Sequence, residues 1–260
     1  MKKHVPNFIT ILNLLSGSTA IVLVFDHDLK FYASFLIFAA ALFDFADGLF
    51  ARLLKAYSSL GKELDSLSDM VSFGLAPALF MHHLIRNSLA GDASLYDYAN
   101  ASPLQILFLS LPLLIIAGTA IRLAKFNVDE SQQDYFKGLP SPASGLFIAF
   151  VFLIYLLPGN DFYKSIIISP WLIIPVIVLL SWLMVSSFPM FNLKIKTLSI
   201  QENIYRYLLI IIALVLLFLF GYIAFPLVIL LYIVLSVFSL ATGHTVETSR
   251  DNNRDLSCNH

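Results

Sequence analysis

Charge is scarce in this 260-residue chain: Asp, Glu, Lys and Arg make up 13% of it, about half the share found in a soluble domain. Apolar residues reach 58%, and the mean hydropathy is +0.82. A water-soluble fold cannot hide that much apolar surface, so lipid must replace water as the solvent for most of the chain. The net charge of −1 excludes a global basic field for nucleic acid. With one cysteine, Cys258 in a polar tail, no intrachain disulfide can form. Internal repeats, low-complexity tracts and any stretch able to form a soluble domain are missing as well. The sequence therefore reads as one polytopic membrane domain, residues 1–241, followed by a polar, disordered tail, 242–260.

What is present is a series of apolar stretches, each near the ~20 residues that a bilayer requires. They fall at about 8–26, 31–54, 64–86, 104–124, 142–158, 166–187, 204–220 and 224–241. This predicts an all-α integral membrane protein of about eight spans. Pro170 and Pro175 predict a kink or a late start in the sixth. With both termini in the cytosol, thirteen of the sixteen Lys and Arg residues lie on the cytosolic side, leaving Lys30, Arg86 and Lys164 outside. That asymmetry fits the positive-inside rule. His82 and His83 fall near the outer end of the third span and read as interfacial. Asp92, Asp97 and Asp161 fall in outer loops and read as solvated.

Against this background four aspartates stand out in DFADGLFARLLKAYSSLGKELDSLSD, residues 44–69. On a helical second span, Asp44, Asp47, Gly48 and Ala51 share one face, with Arg52 one step further. On a helical third span, Gly61, Asp65, Asp69 and Ser72 share another. A turn this short makes the two helices antiparallel neighbours. At ~1.5 Å per residue, Asp47 and Asp69 each lie roughly 10 Å below the cytosolic end. Any one of these acids can be explained as a cap or an ion-pair partner. Four on two facing surfaces repel one another and are costly to bury in a bilayer. Divalent cations answer that cost. Carboxylates without His or Cys suit Mg²⁺ or Mn²⁺, and four of them can hold two ions with a phosphate completing the coordination. Gly48 and Ala51 leave room beside the helix for a flat or anionic group.

The pattern D-x-x-D-G-x-x-A-R-x8-G-x-x-x-D-x-x-x-D, from Asp44 through Gly48, Ala51, Arg52 and Gly61 to Asp69, resembles the signature of the CDP-alcohol phosphatidyltransferase family at every position. The resemblance implies a membrane enzyme that breaks the diphosphate of a CDP-linked lipid. It implies two divalent metals held by Asp44, Asp47, Asp65 and Asp69, with Asp69 as general base. It further implies a nucleotide flanked by Gly48, Ala51, Arg52 and Gly61, and a homodimer built on six core helices, to which this chain adds two. PNFITILNLLSGSTAIV, ELDSLSDMVSFGLAPA, GTAIRLAKFNV and FKGLPSPASG resemble the bacterial, membrane-integral branch that uses serine as acceptor. The implied reaction transfers the phosphatidyl group of CDP-diacylglycerol to the L-serine hydroxyl and releases CMP. It takes place at the cytosolic face of the bacterial cell membrane.

A serine acceptor needs a partner for its carboxylate. Arg122 is the first candidate, followed by Lys125 and Lys137, with Asn127 able to hydrogen-bond; each of these cations could instead serve only as a topological anchor. LPSPAS suits a rigid turn into the fifth span, with no contact assigned. Two other readings compete. A sister enzyme using glycerol 3-phosphate or inositol should carry a denser Arg and Lys cluster for a phosphorylated acceptor. An ion or metal transporter should spread its acids along a path through several spans.

Overall fold

The computed structural model describes residues 4–91, 97–128, 136–159, 161–190 and 200–241. The chain forms α1 (His4–Leu23), α2 (Lys30–Leu53), α3 (Ser59–Asp69), α4 (Ala76–Ala90), α5 (Pro103–Ser110) and α6 (Leu113–Val128). Then follow α7 (Ser141–Leu156), α8 (Asp161–Ile167), α9 (Pro170–Val185), α10 (Ile200–Phe220) and α11 (Ala224–Ala241). Two residue pairs, β1 (Phe136–Lys137) and β2 (Pro189–Met190), form a short antiparallel ladder ahead of α7 and behind α9. The tail beyond residue 241, Cys258 included, lies outside the described residues, as does Asp92.

Each of the eight expected spans has a helical counterpart. Among the described residues, four helical stretches are long and apolar enough to cross a bilayer: His4–Leu23, Lys30–Leu53, Pro103–Val128 and Asn203–Ser239. A fifth is added if α8 and α9, bent by 60°, count as one broken span. The break has a physical cause. Pro170 opens α9 at a position where its missing N–H costs nothing. The 37-residue stretch Asn203–Ser239 is nearly twice the length a bilayer needs. It is interrupted at Gly221, whose φ is +55°, and α10 packs against α11.

The third expected span departs from a plain α-helix. It begins earlier, at Ser59, and between Asp69 and Ala76 it widens into a π-helical turn, Met70–Leu75. The Ala76 N–H bonds back to the carbonyl of Val71, five residues earlier. Pro77 explains the insertion. Its ring would strike the Phe73 carbonyl and leave it without a donor in an α-helix, and a wider turn relieves both.

The core lies among α4, α6, α7, α9 and this π turn. Phe73, Phe80, Ile148 and Phe152 are fully buried, and Phe80 stacks on Phe152 with centroids 4.5 Å apart. His83 is buried in that core, edge-on to Phe152 at 5.6 Å, rather than interfacial as its position in the sequence suggests. His82 meets the Leu109 carbonyl at 2.9 Å. Asp97 and Asp161 are exposed, as expected. Apolar side chains such as Trp171 and Phe218 point outward almost fully exposed, as lipid-facing residues must.

Candidate active site

The α2–α3 turn is built by two local devices. Lys55 takes a left-handed conformation (φ 48°). The Ala56 N–H then reaches back to the Ala51 carbonyl at 2.9 Å, closing α2 with a wrapped-back C-cap. Ser58 caps α3 by accepting the Gly61 N–H at 3.0 Å. The chain thus reverses in a few residues and sets the two acidic faces against each other.

Asp44, Asp47 and Asp65 each present a carboxylate oxygen, and the three oxygens lie within 4.8 Å of one another. Asp69 adjoins this triad, within hydrogen-bonding reach of Asp44. Asp47 and Asp69 are buried. Asp47 Oδ2 and Asp65 Oδ1 are buried without a hydrogen-bond partner. Buried carboxylate oxygens that lack donors and crowd together are what a hard divalent cation requires. The donor set therefore fits Mg²⁺ or Mn²⁺.

α1 closes one side of the cluster. Asn13 Nδ2 donates to Asp69 Oδ1 at 3.2 Å. Ser72 donates to the Asn13 carbonyl at 3.0 Å, and Ser68 to the Thr10 carbonyl at 3.1 Å. Gly17 permits the close approach, since a Cβ there would fall 2.6 Å from Ser72 Cα. Sequence reasoning missed Asn13. The available signal was a carboxamide in the middle of an apolar span.

The expected nucleotide-side residues differ in their surroundings. Gly48 is exposed, and a Cβ built on it meets nothing within 4 Å. Ala51 is half-buried and Arg52 exposed in the last turn of α2. Gly61 is tightly packed: a Cβ there would come 3.0 Å from both Asn7 Oδ1 and Ser58 Oγ.

The four acceptor-side candidates also separate. Arg122 is buried in α6 and interacts electrostatically with Asp69 and with Tyr232 of α11. Lys125 instead donates to the Val185 carbonyl at 2.8 Å, at the end of α9. Asn127 ties α6 to α3, donating to Ser66 Oγ at 2.9 Å while its carbonyl accepts from Lys62 at 2.8 Å. The Lys137 backbone pairs with Pro189, but its side chain lies outside the described residues. Next to it, Gly138 (φ +77°) bonds the Phe188 carbonyl at 2.8 Å. A Cβ there would strike the Leu183 and Ser186 carbonyls at 2.7 Å, so only glycine fits. This contact explains the rigid entry into α7. Ser144, inside LPSPAS, is fully buried with its Oγ unpartnered, another polar group that the sequence left without a role.

The acids meet in one cluster rather than marking a path through several helices, so the geometry does not favour a transporter. The family profile of the CDP-alcohol phosphatidyltransferases matches residues 3–189. The CDP-diacylglycerol–serine O-phosphatidyltransferase of Bacillus subtilis is 35% identical over 152 residues, covering 58% of this chain and 77% of that protein. The enzyme of the same name from Mycobacterium leprae is 30% identical over 206 residues, covering 76% of this chain and 61% of its own length. The archaetidylserine synthase of Methanothermobacter thermautotrophicus is 35% identical over 150 residues, 57% of each chain. The acidic hairpin, its local geometry and these matches together place the protein in the CDP-alcohol phosphatidyltransferase family.

Proposed function

We propose that the protein is a phosphatidylserine synthase, transferring the phosphatidyl group of CDP-diacylglycerol to the hydroxyl of L-serine and releasing CMP. The observation that carries this reading is the cluster of Asp44, Asp47 and Asp65, with Asp69 beside it and the buried Arg122 within electrostatic reach of Asp69. A lipid diphosphate, a zwitterionic alcohol and a base could meet there. In this reading all eight helical segments cross or enter the cytoplasmic membrane, both termini and the acidic hairpin face the cytosol, and the protein is a homodimer, as the family resemblance implies.

Asp44, Asp47 and Asp65, with Asp69 shared, would hold two divalent cations. Such ions supply charge neutralisation on the phosphoryl oxygens and on the departing CMP. Asp69, oriented by the Asn13 amide, accepts the proton of the serine hydroxyl. The serine oxygen then bonds to the phosphorus carrying diacylglycerol, and the bond from that phosphorus to the CMP oxygen breaks. Arg122 receives the serine carboxylate; its buried guanidinium suits a planar, two-oxygen partner. Lys125 and Asn127 act on the acceptor only through α6, because their hydrogen bonds tie that helix to α9 and α3. Gly48, Ala51 and Arg52 border the nucleotide, with Gly61 shaping the start of α3 beneath it.

An acceptor screen tests this reading. Purified protein in lipid nanodiscs, given CDP-diacylglycerol and Mn²⁺ or Mg²⁺, should release CMP at least ~10-fold faster with serine than with glycerol 3-phosphate or inositol. Phosphatidylserine should appear in the lipid extract. Equal or greater release with glycerol 3-phosphate would replace serine as the acceptor.

Gly48→Ala separates fold from nucleotide binding. The added methyl meets open space, and alanine stabilises a helix interior by about 1 kcal/mol over glycine. Thermal stability should hold or rise, while the KM for CDP-diacylglycerol rises about tenfold. An unchanged KM would remove Gly48 from the nucleotide site.

A further inference from the structure

Two ties join α6 to the segment formed by α3 and the π turn. At one, Gly74 of the π turn lies against Thr119: a Cβ on the glycine would fall 3.1 Å from Thr119 Cγ2 and 3.2 Å from its Cβ. At the other, Asn127 donates to Ser66 Oγ at 2.9 Å, and its carbonyl accepts from Lys62 at 2.8 Å. Ser66 and Gly74 are eight residues apart, and so are Thr119 and Asn127. The two segments are therefore antiparallel and cover the same length between the ties. The packing of α6 on the π turn agrees with this.

Asp69 and Arg122 both lie between the ties. Asp69 comes five residues before Gly74, and Arg122 three residues after Thr119. At ~1.5 Å per residue they stand roughly 7.5 and 4.5 Å from the Gly74 contact, on the same side of it, so their levels differ by about 3 Å. The π turn contributes to this arrangement. Residues five apart in an α-helix point about 140° from one another. The wider bonding of Met70–Leu75 draws Gly74 toward the side on which Asp69 lies. On its far side α6 is backed by α9. A Cβ on Gly118 would fall 3.2 Å from the Ser181 carbonyl oxygen, and Lys125 donates to the Val185 carbonyl at 2.8 Å. With α6 held there, the spacing from Asp69 to Arg122 depends on how closely the π turn approaches it.

We propose that Gly74 is a positioning residue that sets the size of the acceptor: its contact with Thr119, together with the Asn127–Ser66 tie, holds Asp69 and Arg122 at the separation between the hydroxyl and the carboxylate of serine. This rests on the reading of Asp69 as the base and Arg122 as the carboxylate-binding group. An acceptor must give its hydroxyl to one and its carboxylate to the other at the same moment. Only two carbons separate these groups in serine, so it has little slack, whereas homoserine has one methylene more. A misplacement of 1 Å costs up to roughly 10²-fold in rate, so a few tenths of an ångström costs roughly fivefold.

The test uses the full-length protein in nanodiscs and compares kcat/KM for serine and homoserine. Gly74→Ala drives a methyl group against Thr119, and the contact must open by a few tenths of an ångström. The preference for serine over homoserine should fall about fivefold, while the KM for CDP-diacylglycerol stays within twofold. Adding Thr119→Ser removes the nearest atom and keeps the hydroxyl's bond to the Ile115 carbonyl. That double variant should return the preference to within twofold of wild type. Asn127→Ala releases the other tie and should lower the preference in the same direction. An unchanged preference in Gly74→Ala would overturn the proposal, as would equal losses with the two acceptors, which is what a purely structural role produces. Should that variant fail to fold, the same ratio in Asn127→Ala decides. If serine fails in the acceptor screen, the substrate reading falls. The ratio is then taken between the alcohol identified there and its homologue one methylene longer, and it still decides the role of Gly74.

Discussion

Replacing Asp69 with asparagine will reduce CMP release by at least ~10³-fold while the protein still folds and inserts in the membrane. The substitution is nearly isosteric. The amide oxygen of the new side chain can still accept from Asn13, so the link between α1 and the end of α3 survives. Removing one charge from a cluster of four acids lessens their repulsion, so stability should hold or improve. What disappears is a carboxylate able to take the proton of an attacking alcohol. The measurement is CMP release from CDP-diacylglycerol, alongside a melting curve in the same detergent or nanodisc. Residual activity within tenfold of wild type would remove Asp69 as the base. A ligand role and a base role also separate. Extra Mn²⁺ should partly rescue Asp44→Asn, whose deficit is in metal affinity, but should do nothing for Asp69→Asn.

The acidic cluster was legible in the sequence because two regular features sufficed. Helical spacing set Asp44 with Asp47 and Asp65 with Asp69, and the short turn forced their faces together at one depth. The observed meeting of the triad and Asp69 follows from those two facts alone. What the sequence concealed depends on contacts distant along the chain. Asn13 reaches Asp69 across 56 positions, and nothing in its own segment names that partner. Lys125 and Asn127 read as acceptor contacts because of their charge, polarity and location, yet the ends of α9 and α3 already occupy them. The π turn was hidden because periodicity treats Met70–Leu75 as ordinary helix, whereas Pro77 alters the hydrogen bonding one turn earlier. α11 looked featureless because it is almost uniformly apolar. It packs on α7 through a ring stack of Phe225 with Phe150, which no local pattern announces.

Withdrawing divalent cations with a strong chelator will stop turnover and, independently, lower the melting temperature. Three carboxylate oxygens within 4.8 Å of one another repel by roughly 3–4 kcal/mol for each ionised pair at an effective dielectric near 20. Two of the buried oxygens have no hydrogen bond to offset that repulsion. A cation bound there adds stability to the folded state alone, worth about 2.7 kcal/mol when its free concentration is a hundred times its Kd. Thermal melting should therefore shift upward by several degrees on titration with Mn²⁺ or Mg²⁺, with the half-point reporting affinity in the absence of any substrate. Asp47→Asn, which removes a buried member of the triad, should flatten that titration, whereas a distant exposed acid such as Asp161→Asn should leave it intact. The two arms can fail separately. Catalysis that persists under chelation would sink the metal mechanism. A melting shift that survives Asp47→Asn would place the stabilising ion elsewhere, because no other change in that variant can preserve a site whose ligand has been removed.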